Sequence, residues 1–274
     1  PFFVPSMHND LFDDAVTTDL LSSLEELGVT VFVDKPSEGR RKQPSATAIV
    51  AEFCNLSNSS LEKRKRVAVI LGGNSAPIDS IRSIVNASSG NTGWAIAEHL
   101  HRMGHDVVCI VGRTTREPSF SLPDVRFDET PEGMLLESIE LANSNSEPEY
   151  WIHAAAVLDY VPNFINGKRP SKLENWNIEL YPTKKHLKEL KEHIADSKRI
   201  GFKLEVDADE EAILMKSMNL ISENNLEAVV ANLLDEVRGN APTRCRMVFS
   251  NGAVKRIADL RGLCEAIEDL ISSS

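Results

Sequence analysis

The 274-residue sequence has no pair of cysteines at metal-ligand spacing: Cys54, Cys109, Cys245 and Cys264 stand far apart, with no CxxC. A zinc-ribbon or thioredoxin-like reading therefore has no basis. The first three lie in or beside apolar stretches and read as reduced, structural thiols. Positive charge is not in excess either. A formal net charge of -11 argues against a general nucleic-acid binder, because affinity for a polyanion comes from neutralising its phosphates with Lys and Arg. Any phosphate-bearing ligand must then be held by a local basic cluster. No apolar run approaches the roughly 18 to 20 residues of a membrane span, and no signal-peptide pattern is visible. The expectation is a cytoplasmic protein without a membrane or nucleic-acid partner. Aromatic residues make up only 6%, but hydrophobic residues at 42% and charged residues at 26% are ordinary for a globular chain. The length suffices for a large domain plus a smaller piece. The first residue is Pro1, as expected of a chain trimmed or processed at its start.

A polar stretch, Asn55 to Arg66, reads as a linker between two segments. In the shorter one, residues 1–62, Phe2 to Val4 suggests a strand. Ala15, Val16, Leu20, Leu24 and Leu27 recur at helical spacing ahead of Gly28, Val29 to Val33 reads as a strand, and Ser45 suits the cap of a helix through about Phe53. So few elements make a marginal domain alone, so this appendage is expected to dock on something. Residues 63–274 alternate strand and helix. Val67 to Leu71, Val107 to Val111, Ile152 to Ala156, Ile178 to Leu180, Ile200 to Leu204 and Ala228 to Ala231 read as strands. Helices are expected from Ser88–Gly90 to Met103, over Gly133 to Ala142, around Leu187, Leu190 and Ile194, and over Glu210 to Glu223. Cys245 to Phe249 fits a final hairpin, and Leu260, Leu263, Ile267 and Leu270 mark a last amphipathic helix. This pattern predicts an α/β fold with a doubly wound, mostly parallel, Rossmann-like sheet and a short N-terminal α/β appendage. Ligands bind such sheets beyond the carboxyl ends of the strands.

The first loop of that kind is long and polar, running from Gly72-Gly73-Asn74 to Asn86-Ala87-Ser88-Ser89-Gly90. It contains neither GxGxxG nor a P-loop Gly-Lys-Ser/Thr, which counts against an ordinary dinucleotide oxidoreductase. The Gly pair allows close backbone approach, and Ser88, Ser89 and Gly90 at a helix start offer N–H groups and hydroxyls to an anion. On these residues alone, a phosphate site and a simple turn with a cap are equally good readings.

Four ordered blocks break the tie. Asn86-Ala87-Ser88-Ser89-Gly90, preceded by the Gly-Gly loop, Pro77-Ile78-Asp79 and Ile81-Arg82, resembles the Asn-x-Ser-Ser-Gly signature of phosphopantothenate-cysteine ligases. His153-Ala154-Ala155-Ala156-Val157-Leu158-Asp159, Gly201-Phe202-Lys203-Leu204-Glu205 and Val230-Ala231-Asn232 resemble later blocks of that family. The resemblance covers about residue 66 onward. Residues Pro5-Ser6-Met7-His8, Leu27-Gly28-Val29 and Gly39-Arg40-Arg41 resemble the tail of the flavin-dependent phosphopantothenoylcysteine decarboxylase. The flavin site and early catalytic histidine of that family would precede Pro1, so no flavin and no decarboxylation are expected.

The ligase resemblance implies that CTP or ATP, with Mg²⁺, activates 4'-phosphopantothenate for attack by cysteine in coenzyme A biosynthesis. It implies that Asn86 donates to the acyl oxygen; Arg82 reads either as neutralising a carboxylate or phosphate or as a surface salt bridge. Asp159 and Asn232 would contact the nucleotide beside Gly72, Gly73, Ser88, Ser89, Gly90 and Ala155; Phe202 would lie near the base or in the core, and Lys203 would bind phosphate or point to solvent. Lys168 or Arg169, in the strip Lys168-Arg169-Pro170-Ser171-Lys172, would clamp its phosphates. Metal ligands are unassigned. The resemblance also implies a homodimer, with a separate decarboxylase as a further partner. Asn91 and Lys184-Lys185 depart from the family pattern, and His153 reads as structural. Two other readings compete: an NADP-binding reductase using Arg113, and an inactive partner subunit of a decarboxylase.

Overall fold

A computed structural model describes residues 1–33, 43–170, 175–194, 196–239 and 242–273. Gly39, Arg40, Arg41 and Lys172 lie outside the described residues. In the appendage, β1 (Phe2–Phe3) is followed by α1 (Asn9–Phe12), α2 (Ala15–Glu26), β2 (Thr30–Val31) and α3 (Ala46–Asn58). The strands pair in parallel. Helix α2 starts because Asp14 accepts from the Val16 N–H, and α3 because Ser45 accepts from the Ala48 N–H. The polar stretch expected as a linker from Asn55 begins inside α3. Asn55 and Asn58 donate to the carbonyls of His101 and Arg102, at 2.7 and 2.8 Å, and so satisfy the end of a neighbouring helix. Their polarity serves this contact, which local pattern does not reveal. Ala51 of α3 is fully buried in the main core.

The remaining chain runs β3 (Arg66–Leu71), β4 (Ser75–Pro77), β5 (Ser83–Val85), α4 (Asn91–Arg102), β6 (Asp106–Val111), β7 (Asp124–Phe127), α5 (Pro131–Ala142) and β8 (Tyr150–His153). It continues through β9 (Tyr160–Pro162), β10 (Leu180–Pro182), α6 (His186–Lys191), β11 (Lys198–Glu205), α7 (Glu210–Asn224) and β12 (Ala228–Leu233). The last elements are α8 (Leu234–Arg238), β13 (Cys245–Phe249), β14 (Val254–Ile257) and α9 (Leu260–Ser272). An eight-stranded sheet has the order β14-β13-β12-β11-β8-β3-β6-β7. Every pair from β12 to β7 is parallel, and β13 is antiparallel to both neighbours. The α/β, doubly wound reading of the sequence therefore holds.

Side-chain alternation explains the unbroken apolar strands. Val67, Val69 and Leu71 of β3 pack with α4 and α9 on one face, while Ala68 and Ile70 pack with α5 and α6 on the other. A third cluster joins α7 to Val229, Ala231 and Val248. Burial pushes the thiols of Cys109, Cys245 and Cys264 up to about 12, 11 and 12, so they stay protonated core groups. Strand β10 starts at Leu180 rather than Ile178. The β4–β5 hairpin occupies a stretch that reads as loop, because its strands are short and Ser-containing and show no alternation.

The chain lays down β3, moves outward through β6 and β7, then returns to β8 on the opposite side of β3. Strand order thus reverses between β3 and β8. The crevice beyond their carboxyl ends is where an open α/β sheet admits a ligand.

Candidate functional site

At this switch point the chain folds back on itself in a tight junction. The Gly73 N–H donates to the Arg113 carbonyl at 2.8 Å, and the Arg113 N–H returns a bond to the Gly73 carbonyl at 2.7 Å. The Ala156 N–H donates to the Gly72 carbonyl at 2.8 Å, placing Ala155 within the same wall. Gly72 has φ +87°, and a Cβ there would lie 2.9 Å from the Arg113 carbonyl oxygen. The Gly pair thus lets three chain segments converge, and the Gly73 N–H is used up in doing so.

Asn86 joins this junction through its backbone, its N–H donating to the Asn74 carbonyl at 3.1 Å. The Asn86 Oδ1 is buried and has no hydrogen-bond partner among the described residues. Such an atom is costly unless something meets it. Helix α4 opens immediately afterwards from Gly90, which has φ +77° and provides no side-chain cap. Ser88 and Ser89 accept long bonds of 3.4 Å from the N–H groups of Gly90 and Asn91. The first turn of α4 starts at the carboxyl end of the sheet, where its N–H groups beyond Asn91 suit an anion.

A second cluster lies along the β4–β5 hairpin. Asp79, only 2% exposed, accepts from the N–H groups of Ile81, Arg82 and Arg169 at 2.9, 2.8 and 3.2 Å, and from Arg82 Nη1 at 2.6 Å. Burial would push its carboxyl up, but these donors and the Arg82 charge outweigh burial and hold it below the usual carboxylate range. The guanidiniums of Arg82 and Arg169 both lie against Trp176, 4.9 and 5.2 Å from its ring centroid. The sequence reading missed Trp176; an aromatic residue in an otherwise polar, basic connection was the available signal. Lys168 is exposed.

The other expected contacts are divided among neighbours. Asp159 is exposed and ion-paired with Lys185, a contact of small energetic weight. Lys203 Nζ lies 3.0 Å from Glu205, which also takes Lys216 at 2.7 Å. Phe202 packs against the α4/α9 core, and Asn232 follows the buried part of β12, in register with Leu204. No group of three or more metal-ligating side chains occurs among the described residues.

His153 is enclosed near Trp151, and desolvation, followed by the Arg199 and His186 charges, pushes its pKa down to about 3. It is therefore neutral at neutral pH. Between its ordinary value and about 3 the unfolded chain takes up a proton that the folded chain refuses, so stability falls as pH falls through that window. Urea midpoints at pH 7 and pH 5 should show the wild type losing roughly 2 kcal/mol more than His153→Gln over this interval. Equal losses would show that His153 does not titrate in this way.

Residues 62–263 match the family described as DFP: DNA/pantothenate metabolism flavoprotein C-terminal domain. The chain is 30% identical over 233 residues to the coenzyme A biosynthesis bifunctional protein CoaBC of Thermococcus kodakarensis, covering 84% of this chain and 56% of that protein. It thus spans little more than half of that relative. The solved C-terminal domain of coenzyme A biosynthesis bifunctional protein CoaBC superposes with a TM-score of 0.63 at 25% identity, covering 79% of this chain and 97% of that one. A Cab2 mutant in complex with phosphopantothenate-cysteine shares the fold, with a TM-score of 0.57 at 18% identity, covering 81% of this chain and 92% of that one.

Proposed function

Because the chain belongs to the DNA/pantothenate metabolism flavoprotein C-terminal domain family, we propose that it is a phosphopantothenate-cysteine ligase of coenzyme A biosynthesis. The carboxylate of 4'-phosphopantothenate attacks the α-phosphorus of CTP or ATP and releases pyrophosphate. The amine of cysteine then attacks the acyl carbon, forms the amide, loses a proton and expels the nucleoside monophosphate. The observation that carries this reading is Asn86 at the switch point, its Oδ1 buried and unpaired, next to the uncapped start of α4. The amide Nδ2 can donate to the acyl oxygen without adding charge, and the helix start can take phosphate oxygens.

Mg²⁺ would arrive on the triphosphate, whose oxygens and waters would supply most of its ligands. It would neutralise phosphate charge there, while Asn86 orients the acyl group. Arg82 and Arg169, held by Asp79 and Trp176, form a basic wall suited to a substrate carboxylate or phosphate. That wall stands on a face where Ile81, Tyr160, Phe164, Ile165, Leu180 and Tyr181 are exposed. This supports a homodimer in which the β4–β5 and β9–β10 pairs of one copy abut the other. The family match begins at residue 62, which supports a ligase unit over residues 63–274 with the first 62 residues as an appendage. Among the described residues, no helix is long and apolar enough to cross a membrane, and a cytoplasmic location fits the unbridged cysteines.

The purified chain, given 4'-phosphopantothenate, cysteine, Mg²⁺ and either CTP or ATP, should release pyrophosphate and nucleoside monophosphate, and should sediment as a dimer. Folded protein that releases no pyrophosphate with either nucleotide sinks the ligase reading. A monomer at assay concentration removes the shared face.

A further inference from the structure

Arg244 stands at the start of β13, which is antiparallel to β12 and therefore begins at the carboxyl edge of the parallel strands. Its guanidinium reaches across to α4, where Nη2 donates to Thr92 Oγ1 at 3.1 Å. Thr92 is the second residue of α4, within the turn that opens from Ser88-Ser89-Gly90.

The surroundings of this guanidinium differ from those of nearby arginines. Arg246 meets Glu236 at 2.6 Å and Glu210 at 3.2 Å, and Arg64 meets Glu268 at 3.1 Å. Arg244 makes no ion pair among the described residues. Its Nε is buried with no hydrogen-bond partner, as are those of Arg64 and Arg246, but where they have carboxylates Arg244 has only the neutral Thr92 hydroxyl. A half-buried cation held this way has lost water without gaining a counter-charge. The helix start beside it is also positive in character, because the first turn of α4 carries no acidic residue and its N-cap supplies no side-chain acceptor. Two adjacent positive features repel each other until an anion with several acceptor oxygens lies between them. A phosphoryl group fits both partners, since helix N–H groups and the fork of a guanidinium each address its oxygens.

We propose that Arg244 is a substrate-binding residue that pairs with a phosphoryl group seated on the N-terminus of α4. The proposal rests on the ligase reading, in which both the nucleotide and 4'-phosphopantothenate carry such a group. Arg244 supplies the charge that the first turn of α4 lacks, from a strand well over a hundred residues away in sequence.

The test compares the full chain with Arg244→Gln and Arg244→Lys. CTP, ATP and 4'-phosphopantothenate are each titrated alone by calorimetry, and the KM of each is measured by pyrophosphate release. Arg244→Gln should weaken one phosphorylated substrate by roughly 10- to 100-fold in both Kd and KM, and Arg244→Lys should recover part of the loss. Weakening confined to CTP or ATP assigns the phosphoryl group to the nucleotide; weakening confined to 4'-phosphopantothenate assigns it to the acyl substrate. Removing an uncompensated cation should leave the melting temperature of the ligand-free chain unchanged or higher. Wild-type affinity for all three ligands, or a lower melting temperature with unchanged affinities, overturns the proposal and leaves Arg244 as a tie between β13 and α4. If the wild type binds nucleotide yet releases no pyrophosphate, the ligase reading fails while the titrations still decide the role of Arg244.

Discussion

Replacing Asn86 by Asp should lower kcat by about 100- to 1,000-fold while the fold persists, the range expected when one donor to a developing oxyanion is lost. The exchange conserves shape and keeps the backbone bond from the Asn86 N–H to the Asn74 carbonyl, which is this residue's described structural contact. What changes is one atom. An amide nitrogen that can donate becomes a carboxylate oxygen that repels negative charge growing on the acyl oxygen. If Asn86 acts only once that charge develops, kcat and kcat/KM should fall together, with little change in nucleotide affinity. Pyrophosphate release measured over a range of 4'-phosphopantothenate concentrations, beside a thermal melt, separates the cases. A variant with wild-type kcat would remove Asn86 from the chemistry, and one that melts far below the wild type would give it a structural role instead.

Gly72→Ala should cost about 2 to 4 kcal/mol, from left-handed strain together with a backbone collision. At φ +87° a Cβ would approach the Arg113 carbonyl oxygen to 2.9 Å and the Gly112 carbonyl carbon to 3.1 Å. Neither can swing away as a side-chain tip could, because both belong to the junction that ties β3 to the end of β6. Gly252 supplies the control. It has φ +84°, but nothing lies within 4 Å of its added Cβ, so Gly252→Ala should show the strain alone, about 1 kcal/mol. Urea titrations of both variants should give lower midpoints with unchanged m values, the shift being clearly larger for Gly72. Equal shifts would mean that the junction is loose enough to absorb a methyl group. A large excess for Gly72 should be accompanied by lost ligase activity, since the same junction carries Asn86.

Much of the scaffold was legible because its signals are local. Strands β3, β6 and β12 read as apolar runs because both sheet faces are covered, and Ser45 reads as a cap because it closes its helix within a few residues of itself. The hairpin β4–β5 and the pair β9–β10 were not legible as pairs. Their strands are too short to show a period, and partners such as Asp79 and Ile165 meet through folding rather than spacing. Lys203 shows the same limit: its basic side chain suits phosphate in one dimension, and in three it is paired with Glu205.

The sequence by itself determined the α/β class, the loop after the first central strand as the place to look, and Asn86, Ser88, Ser89 and Gly90 as a block within it. Only the tertiary structure decided that the strand order reverses there, that Arg82 and Arg169 share Trp176, and that Arg244 faces the start of α4. Periodicity and capping are set by neighbours a few positions apart. Charge pairing and convergence depend on which distant segments pack together, as with Arg169 and Asp79, 90 residues apart, or Arg244 and Thr92, 152 apart. Those contacts exist only once burial of the sheet has brought the segments to one edge.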